Sequence, residues 1–373
     1  MRVVIVFIAL IFIANVPVAA ADSTVWNFNI WGGKRAFTVG IETIKKVLEA
    51  EAPGLFELRI NYGDALGPPK KNPESVRVNA FEAAQFCVGY YPNKFPLLSV
   101  LELPFLLPTN LRQRANIEME VLAHPLIVEE MAKRWNIKFF GPAFLPGYEF
   151  MGNKRIETVE DLKGVKMRIS GLNATALELF GAVPTMVTAP EGYTALDRGT
   201  IDSFGFPYTY GFGSYKLYEV SKYATEGFSM SGFMCFQGVN IEAWNAAPEN
   251  VKQALPVAQT KAIDAMIKAY KEADEYWIPV FREHVEIVKI APSERAKLQK
   301  ISRKIWQQWA KDQTEKGRPG HEILDFVKLR WQNCGRFRGF RSLEQSLKDG
   351  MFEESLPVLI IKCALKTSRL GFW

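Results

Sequence analysis

Residues 156–170, IETVEDLKGVKMRIS, and residues 177–203, LELFGAVPTMVTAPEGYTALDRGTIDS, decide how the chain folds. Residues 159–162 read as a short turn of helix before the Lys163-Gly164 break, and 166–169 as a strand. Residues 174–180 follow as a helix stopped by Gly181, and Met186-Val187 as a short strand. Residues 190–198 then form a helix with Pro190 at its start and Gly199 just past its end, the positions these two residues favour. Arg168 stands mid-strand between Met167 and Ile169. A guanidinium there is costly unless it is exposed or paired. A carboxylate is its matched partner, because the planar fork donates two parallel hydrogen bonds and stays charged at any relevant pH. Alternation alone makes Arg168 a surface residue on the polar face of a half-buried strand.

Upstream, residues 22–30 (DSTVWNFNI) alternate as a first strand and Trp31-Gly32-Gly33 turns the chain. Phe37, Ile41, Ile44, Val47 and Leu48 then recur at helical spacing over residues 37–52 and bury one stripe against a sheet. Residues 56–62 read as a second strand, 70–79 as a short helix and 81–88 as a third strand. This alternation predicts a parallel, doubly wound α/β sheet. A second unit opens near Gly141, with a strand at 149–153; residues 233–240 read as a strand returning to the first unit. Residues 248–285 and 293–316 form long helices, the latter opened by Pro292 and a capping-box-like Ser293-Glu294.

Asp161-Leu162-Lys163-Gly164, Arg168, Gly181-Ala182-Val183-Pro184, Tyr193-Thr194-Ala195-Leu196 and the Gly199 to Asp202 segment together resemble the signature region of the extracytoplasmic solute-binding proteins of TRAP transporters, the DctP-like family. A turn at residues 63–67 and Leu103-Pro104-Phe105-Leu106 fit the same pattern, and the resemblance covers residues 25–327 approximately. It implies an α/β, two-lobed periplasmic-binding-protein-like fold, with doubly wound sheets and a long helix crossing both lobes. Residues 22–145 with about 233–273 would form lobe I, and residues 146–232 with about 274–327 lobe II and the long helices. It also implies a periplasmic protein that catalyses nothing. Such a protein captures a small carboxylate between its lobes, closes over it, and delivers it to the membrane subunits of a TRAP transporter.

The resemblance places the family's carboxylate-binding Arg at Arg168. A polar residue that relatives often carry farther along corresponds here to Phe206, with Tyr208, Tyr210 and Phe212 close behind. With Trp31 and Phe233 these outline an aromatic cleft, although each alone reads equally well as a core residue. Tyr148 stands where several relatives have a second Arg, so a single cation favours a monocarboxylate over a dicarboxylate. Glu82 occupies the place of a frequent acid in the first lobe, a solvated charge or a contact to a ligand amine or hydroxyl. Glu191 reads as a favourable charge at a helix start rather than a ligand group.

The bulk properties fit. At 373 residues the chain suits two lobes, and 48% apolar with 23% charged residues is ordinary globular composition. Arg2, the apolar run 3–18 and Ala19-Ala20-Ala21 have the layout of a signal peptide over residues 1–21, too short for a membrane span of roughly 20 apolar residues. Cys87 and Cys235, each among apolar residues, read as buried free thiols. His124, His284 and His321 share no ligand spacing with the cysteines, so no metal or other cofactor is expected. Residues 328–373 hold nine Lys/Arg against four acids and read as an atypical basic extension. Its RFRGFR run (336–341) is too slight to predict nucleic-acid binding. No nucleophile elbow, zinc helix or phosphate loop occurs, which leaves an exported enzyme or a sensory binding module as the less favoured alternatives.

Overall fold

The computed structural model describes residues 23–91, 93–169 and 171–334. The signal-peptide expectation for residues 1–21 and most of the extension, residues 335–373, lie outside the described residues. The chain divides into two compact units after Leu324, and both sheets belong to the first.

Eleven strands are described: β1 (Thr24–Asn29), β2 (Phe56–Asn61), β3 (Ala83–Cys87), β4 (Ile137–Pro142), β5 (Tyr148–Gly152), β6 (Lys166–Arg168), β7 (Val183–Thr185), β8 (Ser203–Pro207), β9 (Tyr223–Glu226), β10 (Cys235–Asn240) and β11 (Glu286–Lys289). They form a five-stranded sheet in the order β2-β1-β3-β10-β4 and a six-stranded sheet in the order β11-β9-β5-β8-β6-β7. In β1, Trp26 and Phe28 point into the core, and Trp26 meets Phe56 and Phe140 edge-on. Strands β3, β5, β8 and β10 are buried along their whole length, as strands covered on both faces must be.

The sheets are α/β in layering but mixed in direction, not wholly parallel. β1 runs parallel to β2 and β3, whereas β10 is antiparallel to both of its neighbours. β10 enters the first sheet from the second, so it starts where β1 and β3 end and must run back against them. In the second sheet β6 is parallel to β7 and β8, and β5 is antiparallel to β8 and β9. The long helix Glu249–His284 packs on the helix Val39–Glu51 and β4 of the first sheet, and on the helix Tyr210–Ser214 and β11 of the second.

Three local expectations need correction. The strand expected at Met186-Val187 forms earlier, at β7, because register with β6 pairs Lys166, Met167 and Arg168 with Val183, Pro184 and Thr185. The helix Pro292–Glu315 starts without the expected capping box: its N-cap is Ala291 and no side chain caps it. Cys87 and Cys235 are not free thiols but a disulfide. The antiparallel register of β3 and β10 sets them directly opposite, with Cα atoms 4.0 Å apart, in the close pair of an antiparallel ladder.

Candidate binding site

The antiparallel entry of β10 fixes where the site lies. Trp31 follows the end of β1, Tyr90 follows the end of β3, and Phe233 precedes β10, so all three gather at one edge of the first sheet. In the second sheet Arg168 ends β6, while Phe206 near the end of β8 stands beside Tyr148 at the start of β5. Ligands of open α/β sheets bind beyond such carboxyl ends.

Arg168 is fully buried. Its Nε donates to the Val187 carbonyl at 2.8 Å and its Nη1 to the Gly205 carbonyl at 3.0 Å. Nη2 is buried and has no hydrogen-bond partner. The guanidinium lies over Phe204 at 4.5 Å and over Phe206 and Phe233 at 5.2 Å each. A desolvated cation gains about 2 kcal/mol or more from each such ring, which offsets part of the several kcal/mol it takes to bury an ion. No ion pair to Arg168 forms among the described residues, so the end of the fork carrying Nη2 is left without a partner or a counter-charge.

Around it, Tyr148 packs against Phe206 and Phe233 at 6.1 and 5.9 Å, and Tyr90 bridges Phe233 and Trp31 at 5.6 and 5.5 Å. The Tyr148 and Tyr215 hydroxyls are buried without a partner. Burial pushes the Tyr215 hydroxyl up to about 12 and that of Tyr148 higher still, so both stay protonated and can donate. The Tyr90 hydroxyl accepts from the Ala189 N–H at 3.2 Å, a direct bond between the two halves of the site. These rings enclose a cavity of about 20 Å3 lined by Trp31, Arg35, Tyr90, Tyr148, Phe206 and Phe233 among others. A larger cavity of about 720 Å3 lies between residues 88–102, the helix Gly171–Glu178 and the helix Pro292–Glu315. The chemistry favours the smaller one, because two of its lining rings, Phe206 and Phe233, are those that the buried, incompletely paired Arg168 lies over.

The sequence-named residues divide. Arg168, Phe206, Tyr148, Trp31 and Phe233 come together. Glu82 does not join them: it accepts from the Asn27 backbone at 2.7 Å at the opposite end of β3. Tyr208 packs on Phe212 and Phe281 and does not line the cavity. Glu191 accepts from the Thr188 N–H at 2.8 Å and hydroxyl at 2.6 Å, a local turn bond.

Sequence reasoning missed Arg35, Tyr90 and Tyr215. Arg35 is a cation on the cavity wall that the sequence reading did not include. Its Nη1 donates to the Trp31 and Gly33 carbonyls at 2.9 and 2.7 Å, and it stacks on Phe37 and Tyr215 at 5.2 and 5.7 Å. Its place four residues after Trp31, just past the end of β1, was the available signal.

Among the described residues no cluster of His, Cys, Asp and Glu could hold a metal ion, and no helix is long and apolar enough to cross a membrane.

Residues 30–312 match the family model described as bacterial extracellular solute-binding protein, family 7. The chain is similar to a monocarboxylate 2-oxoacid-binding periplasmic protein of Nostoc sp. (27% identical over 244 residues, 64% of this chain and 66% of that one). It spans about half to just over three quarters of the length of the curated relatives that it matches. Among solved structures, it shares its fold with a TRAP solute-binding protein from Rhodoferax ferrireducens T118 in complex with copurified benzoate. The TM-score is 0.74 at 18% identity, covering 85% of this chain and all of the other. A TRAP periplasmic solute-binding protein from Roseobacter denitrificans with bound β-D-glucuronate gives 0.70 at 19% identity, covering 82% and 99%.

Proposed function

Because the chain belongs to bacterial extracellular solute-binding protein family 7, the periplasmic receptors of TRAP transporters, we propose that it captures a monocarboxylate with an apolar, aromatic-compatible body and passes it to TRAP membrane subunits. The family is one of binding proteins, so the chain is a receptor and not an enzyme. Residues 1–21 would direct export to the periplasm.

One observation carries the ligand class: a fully buried Arg168 whose Nη2 has no partner, boxed by Phe204, Phe206 and Phe233. A ligand carboxylate would meet Nη1 and Nη2 end-on and supply the missing counter-charge, with the Tyr148 hydroxyl as a further donor. Phenyl faces in place of polar groups favour an apolar body over a hydroxylated one. Arg35 weighs less toward a second carboxylate, since one of its end nitrogens already serves two carbonyls. The 2-oxoacid specificity of the Nostoc relative and the benzoate in the Rhodoferax structure support the same class. The mechanism follows from the two-sided construction. A ligand that touches Arg168 and Tyr148 from one sheet and Trp31 and Phe233 from the other stabilises the closed arrangement by its differential affinity for it. Exclusion of water then strengthens the Arg168–carboxylate pair.

Isothermal titration with benzoate and phenylpyruvate, for the wild type and Arg168→Lys, tests this. Lys keeps the charge and loses the fork, a difference of about 1.5–3 kcal/mol for a charged hydrogen bond, or roughly 10–150-fold in affinity. Equal affinities for both proteins would remove Arg168 from the site.

A further inference from the structure

The cavity walled by Phe206 and Phe233, the rings next to Arg168, is about 20 Å3 and has room for a single water, which occupies roughly 10–15 Å3 by the same measure. The neighbouring cavity of about 720 Å3 falls within the roughly 300–1,000 Å3 typical of sites for drug-sized ligands. Its lining is mainly apolar, including Leu172, Leu179, Met186, Ile301 and Ile305. Leu179 and Met186 are 58% and 39% exposed, an apolar surface left uncovered within the described fold.

One aromatic ring parts the two spaces. Phe233 lines the inner cavity and Gly89 the outer one. A Cβ on Gly89 would lie 2.5 Å from the Phe233 ring, so the ring occupies the space that a side chain at Gly89 would need. The same ring stands 5.2 Å from the Arg168 guanidinium. Glu102 lies beside this partition: its Oε1 accepts from the Met234 N–H at 3.1 Å, and a Cβ on Gly171 would lie 2.7 Å from its Oε2. Burial holds the Glu102 carboxyl up to about 8, so near pH 7 it is mostly neutral and does not repel an anion.

We propose that the two cavities are one site divided by Phe233, and that the ligand class is acids with an extended apolar tail, such as arylalkanoates, whose carboxylate meets Arg168 while the tail passes Phe233 into the outer cavity. This rests on the carboxylate reading above and adds the tail. Lys304, Gln308 and Lys316, all exposed, line the outer cavity where a tail would reach solvent.

Titration of the whole chain with benzoate and with 6-phenylhexanoate tests it, using wild type, Thr175→Trp, Leu179→Asp and Arg168→Lys. Thr175 and Leu179 are exposed, so both variants keep the fold. Wild type should bind 6-phenylhexanoate at least tenfold more tightly than benzoate. Thr175→Trp, which fills the outer cavity, and Leu179→Asp, which places a charge in its wall, should each abolish that advantage and leave benzoate unchanged. Wild type that binds benzoate as tightly or more tightly, or an advantage that survives both variants, overturns the extended site and leaves the carboxylate reading intact. If Arg168→Lys binds both acids as wild type does, or if wild type binds neither, the carboxylate reading fails and the extended site with it.

Discussion

Reduction of the Cys87–Cys235 disulfide should destabilise the protein by an amount that its place in the chain sets. The bridge closes a loop of 148 residues. In the chain-entropy description a loop of that length stabilises the native state by about 5 kcal/mol at 25 °C, and measured bridges usually give about 2–4 kcal/mol. A folded unit of roughly 300 residues has an unfolding entropy near 0.6 kcal/mol/K, so 2–5 kcal/mol corresponds to a fall in Tm of about 3–8 °C. Differential scanning calorimetry of oxidised and dithiothreitol-reduced wild type measures this without changing any side chain, with the redox state checked by mass spectrometry. Cys87→Ala with Cys235→Ala should fall slightly further, because two buried sulfurs are lost as well. The bridge also ties β3 to β10 within three residues of Tyr90 and two of Phe233, so reduction should weaken acid binding several-fold. A fully reduced protein whose Tm falls by less than about 1 °C would refute the loop-entropy argument.

Glu102 gives a pH dependence of defined sign. Burial raises its carboxyl from 4.5 to about 8 in the folded protein, against the Met234 and Gly89 N–H groups that favour the charged form. The native state therefore holds a proton that the unfolded chain releases, and the stability this brings is complete below pH 4.5 and lost as pH rises to about 8. Glu102→Gln should flatten the decline of Tm between pH 5 and 8; an unchanged slope would show that other groups govern it. Gly89→Ala would set a Cβ 2.5 Å from the Phe233 ring. Overpacking of this kind costs about 1–3 kcal/mol, so both Tm and acid affinity should drop, and a variant that kept both would mean the ring moves freely.

Much of the fold was legible because it is written in local periodicity. The alternation before Trp31, the helical stripe from Phe37 to Leu48, and the Pro190 and Gly199 punctuation all depend on residues a few positions apart. Arg168 was legible for a different reason: a cation inside a strand demands an explanation, and the motif around it supplied one. The errors share a cause. Glu82 and Tyr208 look like site residues by chain position, yet Glu82 sits at the far end of β3 and Tyr208 turns toward Phe281 on the long helix. Cys87 and Cys235 look like isolated apolar-site thiols until β10 is laid against β3.

The sequence alone determined the order of strands and helices, the strand that carries Arg168, and the family pattern around it, since each follows from residues close together along the chain. Tertiary structure alone decided that β10 returns antiparallel, that this joins Cys87 to Cys235, and that Arg35, Tyr90 and Tyr215 gather around the aromatic rings next to Arg168. Those outcomes depend on the register between strands as many as 148 residues apart. Such a register is set by which faces bury together, and no local pattern records it.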